Sequence, residues 1–383
     1  MRVSVLVSDM SDNCLGRAYL LGKILRRKHE VEILGPIFGK AVWAPCDTGE
    51  FDYKIIRGRK HPGFLLTQRK LMRMITGDVV YSSKNRPTSF GTALKIRRQR
   101  GTPVILDIDD CEVDIKTVVD VQRGLRKQLR DPNSLFWTKR VQRLIPQADG
   151  ITVVSRHLQE RHGGVMVPHA KDTDHLDPAR FDRAALRKAH GVANYELILY
   201  LGTPRPPTGL EELVRAMTAL DRPDLRLMIV GAARWPSGRA WEYVKRLRAL
   251  GGDRIIWFPQ QPFGKMGEFL SIADLVVLPQ RDEPLNHGQV PAKVFDAMAM
   301  ALPVVATAMS DLPEILDGCG RIVPPGQIEA LSEAIRDMLD DRQAAHQLGE
   351  AAREKCIRDY SWDVVGERLK AVVESVTASR RES

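Results

Sequence analysis

The sequence predicts an α/β protein with two doubly wound domains, each a parallel sheet covered by helices on both faces. Three observations support this prediction. Apolar runs such as residues 3–7 and 197–202 alternate with segments of helical periodicity. The runs are continuous rather than alternating, which is typical of strands that are buried on both faces. A stretch rich in Pro, Asp and His at residues 168–182 interrupts the alternation, and a second series of similar size follows.

The two series define the predicted elements and domain boundaries. Strands are predicted at residues 3–7, 31–35, 78–82, 103–109 and 150–155, and then at 197–202, 225–231, 254–258, 274–279 and 303–307. Helices are predicted at residues 89–100, 117–146, 209–220, 238–250, 264–272, 291–301 and 327–340, with a periodic tail at 345–377. We expect the domains to face one another and to comprise residues 1–176 and 177–358. We expect a C-terminal helical segment, 359–383, to cross back and pack on the first domain.

Length and composition are those of an ordinary globular protein. The chain has 383 residues, enough for two domains of roughly 150–200 residues each. Its five cysteines are widely spaced and odd in number, which argues against a disulfide framework or a zinc ribbon and fits a reducing compartment. No apolar run approaches the roughly 18–20 residues of a membrane span. The start, MRVSVLVSDM, predicts a first strand rather than a signal peptide. We therefore expect a cytoplasmic protein.

The charge balance is basic, with 58 Lys and Arg against 48 Asp and Glu, a net charge of +10. Such a chain favours polyanions, phosphorylated substrates or an acidic membrane surface. Basic clusters occur at residues 25–29, 57–61, 94–100 and 122–130, where solvated helix faces are the alternative explanation. No helix-turn-helix, RNA-stacking motif or zinc finger accompanies them, so we expect no nucleic-acid partner.

Residues 281–307 carry a candidate anion-binding site. Pro291 suits a first helical turn, and Lys293 follows in that turn, where the helix dipole disfavours a cation unless an anion binds. Asp296, three residues further on, can accept hydrogen bonds from a ribose diol. An ordinary surface Lys–Asp pair is the alternative. The preceding loop offers backbone N–H groups for a diphosphate or sugar hydroxyls, and its residues are Asn286, His287, Gly288, Gln289 and Val290.

Two further strand ends carry polar groups. After Gly202, Arg205 can grip a phosphate with two hydrogen bonds, while Thr208 and Glu211 match the T-x-x-E pattern of a helix-capping box. In PVILDIDDCE (103–112), Asp107 and Asp109 point to one side of a strand and Asp110 to the other. This spacing leaves open a Mg²⁺ site, an aspartate nucleophile, or ion pairing with Arg or Lys.

The segment PAKVFDAMAMALPVVAT, with ADLVVLPQRDEP upstream, resembles the donor-site motif of family 4 glycosyltransferases of the GT-B fold. TVVSRHL, PHAKDTDHLDP, LGTPRPPTGLEELVRAM and YSWDVV resemble other segments of that family, in the same order. The resemblance implies a retaining, metal-independent transfer from a nucleoside diphosphate sugar, linked to UDP or GDP, to a small-molecule or lipid-linked acceptor. It implies an acceptor-side first domain, a donor-binding second domain and no further cofactor.

The resemblance also assigns donor-site roles. It implies that Asp296, usually Glu in the family, binds the ribose and that Lys293 faces the phosphates. A second family Glu, eight positions earlier, is replaced here by Gly288, and Asn286 or His287 is the expected substitute. The family's diphosphate-binding Arg and Lys correspond to Thr203 and Thr208, so Arg205 is expected to take over. The resemblance places Gln260 where related enzymes contact the base of the donor nucleotide.

Other roles concern the acceptor side. The family's glycine-rich loop after the first strand retains only Gly16, and G-x-G-x-x-G is absent. Asn13 and Arg17, together with Lys84 and Asn85 after another strand, are the acceptor-side candidates. Asp109 corresponds to a family His near the donor sugar. The predicted catalytic groups are therefore Asp109, Arg205 and Lys293.

Two alternative functions and one question of membrane contact remain open from the sequence. A nucleotide-sugar epimerase of the same fold would interconvert donors without an acceptor, and a non-catalytic module would have lost the diphosphate clamp. Separately, the basic helices predicted at residues 17–28 and 89–100 offer a peripheral contact with the inner membrane face, whereas a soluble acceptor requires none.

Overall fold

The computed structural model describes residues 1–120, 123–231 and 239–378, without the side chains of residues 239 and 240. Within the predicted elements, residues 121–122, 238 and 379–383 therefore lie outside the described residues. The chain divides into two compact units: Met1–His169 with Asp363–Ser383, and Ala170–Trp362. The boundaries predicted after residues 176 and 358 each lie a few residues from these divisions.

The first unit is a seven-stranded parallel sheet in the order β3-β2-β1-β4-β5-β6-β7. Its central strands are fully buried because helices cover both faces, as the continuous apolar runs predict. The strands are β1 Arg2–Leu6, β2 Glu30–Ile37, β3 Lys54–Arg57, β4 Val79–Ser83, β5 Val104–Ile108, β6 Gly150–Val153 and β7 Val165–Met166. The helices are α1 Cys14–Leu25, α2 Phe64–Met74, α3 Phe90–Arg100, α4 Glu112–Asp120, α5 Leu125–Arg130, α6 Leu135–Gln142 and α7 Arg156–His162.

The second unit is a six-stranded parallel sheet in the order β10-β9-β8-β11-β12-β13. One core cluster on each face of this sheet is built mainly from aliphatic side chains. The strands are β8 Glu196–Leu201, β9 Leu225–Val230, β10 Ile255–Phe258, β11 Leu275–Leu278, β12 Val304–Thr307 and β13 Arg321–Val323. The helices are α8 Arg183–Ala189, α9 Leu210–Ala219, α10 Arg239–Gly251, α11 Met266–Ile272, α12 Pro284–His287, α13 Lys293–Ala299, α14 Leu312–Ile315, α15 Ile328–Asp340 and α16 Arg342–Tyr360.

The last helix, α17 (Trp362–Ala378), packs on the first unit. Asp363 forms an ion pair with Arg27 at 2.9 Å. Val376 lies so close to Gly150 that a Cβ there would be 2.7 Å from its side chain. The periodic tail predicted at 345–377 is thus two helices, with Ser361 in extended conformation between α16 and α17.

The predicted class, two doubly wound parallel-sheet domains, is confirmed. Each of the ten predicted strands is present. The helical region predicted at 117–146 is instead divided among α4, α5 and α6. No helix in the described ranges combines the length and the hydropathy needed to cross a bilayer.

Candidate functional site

The candidate donor site lies at the carboxyl end of the second sheet, where open α/β sheets bind ligands. Lys293 is the first residue of α13, and its Nζ lies 3.9 Å from the centroid of the Tyr200 ring on β8. Gly202 follows β8 with a φ of 114°, and a Cβ there would lie 3.6 Å from the same Nζ. In the described part of the chain, no carboxylate pairs with this ammonium group. The cation is therefore held against an aromatic face and is available to an anion.

Asp296 lies one turn after Lys293, as predicted, and it already has a cationic partner. The Nζ of Lys171 lies 2.5 Å from its Oδ1, with both side chains mostly buried. The backbone of Lys171 is fixed in turn, because its N–H donates to the Tyr360 carbonyl and its own carbonyl accepts from Trp362. A ribose diol that reaches Asp296 would therefore meet a carboxylate that is already oriented.

The turn after Gly202 differs from the predicted capping box. Thr208 closes a 3₁₀ turn, Pro206–Thr208, and donates its hydroxyl to the Arg205 carbonyl at 2.6 Å. Gly209, at a φ of 70°, precedes α9, and a Cβ there would collide with the Pro279 carbonyl. The prediction that Thr208 caps α9 is wrong because the left-handed glycine occupies the cap position. Glu211 pairs with Arg281 at 2.7 Å instead of completing a box.

The loop after β11 is fastened to this turn by Asn286. Its buried amide Nδ2 donates to the carbonyls of Pro207, at 2.9 Å, and Arg281, at 2.8 Å. Gln280 donates to its Oδ1 at 3.4 Å. The structure thus uses the predicted sugar-binding amide of Asn286 to brace two loops. The Asn286 side chain therefore forms its hydrogen bonds with protein atoms and not with a ligand.

The other predicted donor-site residues are dispersed over the same sheet end. His287 contacts Asp282 at 2.7 Å, and Gly288 ends α12 with a φ of −91°, which any residue adopts. Arg205 is exposed, which leaves its guanidinium in solvent. Of the remaining predicted residues, Val290 is buried. The others are partly buried, and they are Thr203, Gln260 and Gln289.

In the first unit, Arg17 and Asp107 form a buried bidentate ion pair. Arg17 Nε and Nη2 donate to the two carboxylate oxygens at 3.0 and 2.9 Å. Arg17 also donates to the carbonyls of Val167, at 2.7 Å, and Pro168, at 3.2 Å. Thr152 donates to Asp107 at 2.8 Å. Both ionic side chains are at most 2 % exposed. Arg17, a predicted acceptor-side residue, is therefore occupied in holding α1 to the sheet, and Asp107 is already neutralised.

Lys84 is the centre of a second buried cluster. It follows β4 with a left-handed φ of 67°, and its ammonium contacts Asp109 at 2.7 Å, Asp110, and Glu112 at 3.2 Å. Burial raises the pKa of Asp109 to about 7, although the attraction of Lys84 opposes the shift. Of the alternatives for the D-x-D segment, ion pairing is the one that the structure contains. Asp109 is thus a buried carboxylate that titrates near neutrality.

Arg86 and Glu112 extend this cluster, and sequence reasoning missed both. Arg86 Nε donates to Glu112 at 2.6 Å. Although burial alone would raise the pKa of Glu112, Arg86 and Lys84 lower it to about 2. The available signal was the position of both residues just beyond strand ends. Lys171 and Arg281 were also missed, because the carboxylates with which they pair lie far away in the sequence.

The remaining acceptor-side candidates differ in exposure. Asn13 is exposed at the start of α1. Gly16 was expected in the loop after the first strand, but it lies within α1, which already begins at Cys14. Asn85 is 2 % exposed, and its Oδ1 has no hydrogen-bond partner in the described structure.

The two predicted membrane-facing helices use much of their charge within the first unit. In α1, Arg17 is buried and Lys23 pairs with Glu50, and just beyond the end of this helix Arg27 pairs with Asp363. In α3, Arg97 pairs with Asp149 at 2.8 Å, and Arg100 donates to two backbone carbonyls. Neither helix has an exposed large hydrophobic residue. Their surfaces therefore lack the apolar component of an interfacial helix.

Comparison with known proteins agrees with this architecture. Residues 182–355, almost the whole second unit, match the family model "Glycosyl transferases group 1". A GDP-mannose-dependent alpha-(1-6)-phosphatidylinositol monomannoside mannosyltransferase of Mycolicibacterium smegmatis is 27% identical, over 63% of this chain and 65% of that protein. An alpha-D-kanosaminyltransferase of Streptomyces kanamyceticus is 26% identical, over 51% of this chain and 49% of that protein. The chain thus spans less than two thirds of the length of these curated relatives.

Solved structures show the same fold over nearly the whole chain. HepE of Anabaena, in complex with UDP and glucose, superimposes with a TM-score of 0.76 at 17% identity, covering 98% of this chain and all of that one. With the family match, this confirms the resemblance to a family 4 glycosyltransferase and the GT-B class. The second unit thus carries the sequence pattern of the group 1 glycosyltransferases, over residues 182–355.

Proposed function

We propose that the protein transfers a sugar from a UDP- or GDP-linked donor to a small-molecule or lipid-linked acceptor. The observation that carries this proposal is the Lys293 ammonium group, which lies beside Gly202, has no carboxylate partner among the described residues, and falls inside the segment that matches the group 1 family. A cation in this position is complementary to a diphosphate.

Lys293 would stabilise the charge that develops on the departing diphosphate. Preorganised groups of this kind contribute about 3–4 kcal/mol each in known enzymes. Arg205 is exposed and can swing onto the same diphosphate, while Asp296, oriented by Lys171, would receive the ribose hydroxyls. The predicted weakness of the clamp, with Thr203 and Thr208 in place of cations, makes Lys293 the principal phosphate contact.

The transfer would retain the anomeric configuration. The bond from the anomeric carbon to the diphosphate breaks, and the acceptor oxygen bonds to the same face of the sugar. The acceptor proton passes to the leaving phosphate oxygen, so no carboxylate nucleophile is needed. Asp109 would contact the donor sugar or the acceptor, since it is the strand-end carboxylate in the first unit whose pKa is raised to about 7.

We propose that this reaction needs neither metal nor resident cofactor. The aspartates with D-x-D spacing, the candidate Mg²⁺ ligands of the sequence, are paired with cations: Asp107 with Arg17, and Asp109 with Lys84. We also propose a cytoplasmic location, which the five free, buried cysteines support.

Product analysis with a panel of UDP- and GDP-sugars tests the proposal. Each donor is incubated with small-molecule and lipid-linked acceptors, with and without a chelator, and the anomer is assigned by NMR. We expect an α- or β-linkage that matches the donor, and chelator-insensitive transfer. Donor isomerisation without an acceptor would favour an epimerase, and failure to bind any nucleoside diphosphate would favour a non-catalytic module.

A further inference from the structure

The first unit exposes leucines on two helices. Leu65 and Leu66 on α2 are each 50% exposed, and Leu125 and Leu129 on α5 are 62% and 38% exposed. Helix α5 contributes no buried residue to the unit. Its leucines are therefore not explained by packing within the described structure.

The two helices are joined locally. The His61 N–H, just before α2, donates to the carbonyl of Arg130 at the end of α5, at 2.8 Å. Trp137 donates its indole N–H to the Leu129 carbonyl at 3.1 Å, and its ring lies 4.9 Å from that of His61. These contacts hold the end of α5 against the segment that leads into α2.

Helix α2 has one buried face and one exposed face. Its buried residues are Phe64, Thr67, Gln68, Leu71 and Met72. At about 100° per residue, the exposed residues form one opposite face, and they are Leu65, Leu66, Arg69, Lys70 and Arg73. Leucines and cations thus share the outer face, rather than lying on separate sides.

The sequence around this face is uniformly basic. Residues 57–74 contain six Lys or Arg and no Asp or Glu, and residues 123–130 contain four and none. Within the second segment, Arg123 pairs with Asp120 and Asp131. The remaining cations, including the exposed Lys127, have no carboxylate partner among the described residues.

We propose that this leucine–cation surface, formed by residues 57–61, α2 and α5, docks on an anionic phospholipid bilayer. Clustered Lys and Arg are attracted to anionic headgroups, and leucines on the same face can enter the headgroup–acyl boundary. A nucleic acid would use the cations but would gain nothing from exposed leucines, since its backbone is bound through phosphate. The surface belongs to the first unit, so the inference does not depend on the donor site.

Flotation of the full chain with vesicles tests this proposal. One set of vesicles is phosphatidylcholine, and the other contains equal parts of phosphatidylcholine and phosphatidylglycerol. We expect binding to the anionic set only, weakened by salt. The single variants Lys70→Gln and Lys127→Gln should each weaken vesicle binding about fivefold. The double variant Leu66→Ser/Leu125→Ser should weaken it about tenfold.

Matched variants in the second unit serve as controls. One control is Leu250→Ser, at a leucine on α10 that is 41% exposed. The other is Lys188→Gln, at an exposed lysine on α8. Both should bind vesicles like the wild type, and all variants should keep the wild-type melting temperature because the changed side chains are exposed.

Three results would overturn the proposal: no binding to anionic vesicles at low salt, equal losses in the controls, or full binding by the double leucine variant. In the last case, heparin binding that depends only on the lysines would identify a general polyanion surface. Nucleotide affinity, measured on the same samples by calorimetry, keeps a failure of the donor site separate from a failure of this surface.

Discussion

The buried pair of Arg17 and Asp107 allows a quantitative test of how the first unit is stabilised. Arg17→Met preserves an unbranched side chain and removes the charge, leaving Asp107 fully buried with Thr152 as its remaining side-chain donor. Removing one partner of a buried ion pair costs about 3–5 kcal/mol. At about 2–4 °C per kcal/mol for a unit of this size, the melting temperature should fall by roughly 10 °C.

A second substitution tests the cause of that loss. Adding Asp107→Asn removes the uncompensated carboxylate, so Arg17→Met/Asp107→Asn should regain about 2 kcal/mol relative to Arg17→Met alone. Full recovery is not expected, because the carbonyls of Val167 and Pro168 lose their arginine donor in both variants.

Urea unfolding followed by circular dichroism, with calorimetry to assign the transition, measures both effects. Arg215, exposed on α9, supplies the control, and Arg215→Met should change the free energy of unfolding by no more than about 0.5 kcal/mol. The reasoning would be refuted if Arg17→Met unfolded like the wild type. It would also be refuted if the double variant were no more stable than Arg17→Met.

Three further predictions concern the site. Asp296→Asn should weaken UDP binding about tenfold but should not weaken the binding of 2′,3′-dideoxy-UDP, which lacks the ribose diol, as calorimetry can check; equal losses for both ligands would exclude a ribose contact. Gly209→Ala should destabilise the second unit by at least about 1 kcal/mol in urea, because its φ is 70° and the Pro279 carbonyl blocks a Cβ; an unchanged midpoint would contradict this. Because the pKa of Asp109 is raised to about 7, the folded state retains a proton that the unfolded state loses near pH 4, so the free energy of unfolding should fall from about pH 4 to about pH 7. Asp109→Asn should flatten that slope, and an identical slope in the variant would disprove the assignment.

The sequence predicted the buried strands well and missed three at sheet edges. β3, β7 and β13 each end a sheet, and they are short, with mixed burial. An edge strand pairs on one side only and need not be a continuous apolar run. The prediction depended on such runs, so it found the central strands and the apolar edge strand β10 but not these three.

Long-range pairing limited the prediction of the site. Lys293 and Asp296 could be found from local spacing, but Asp296 is paired with Lys171, which lies 125 positions earlier. Likewise, Arg17 was a plausible surface residue until the fold brought Asp107 to it. Thr208 failed for a local reason, since Gly209 can adopt the left-handed conformation that displaces a capping side chain.

The most direct measurement of the central claim is the calorimetric affinity of wild type, Lys293→Ala and Lys188→Ala for UDP and GDP. Losing a charge-assisted contact should weaken the preferred nucleotide about 10- to 100-fold in Lys293→Ala, with Lys188→Ala unchanged. Wild-type affinity in Lys293→Ala would contradict the assignment of this lysine to the donor diphosphate.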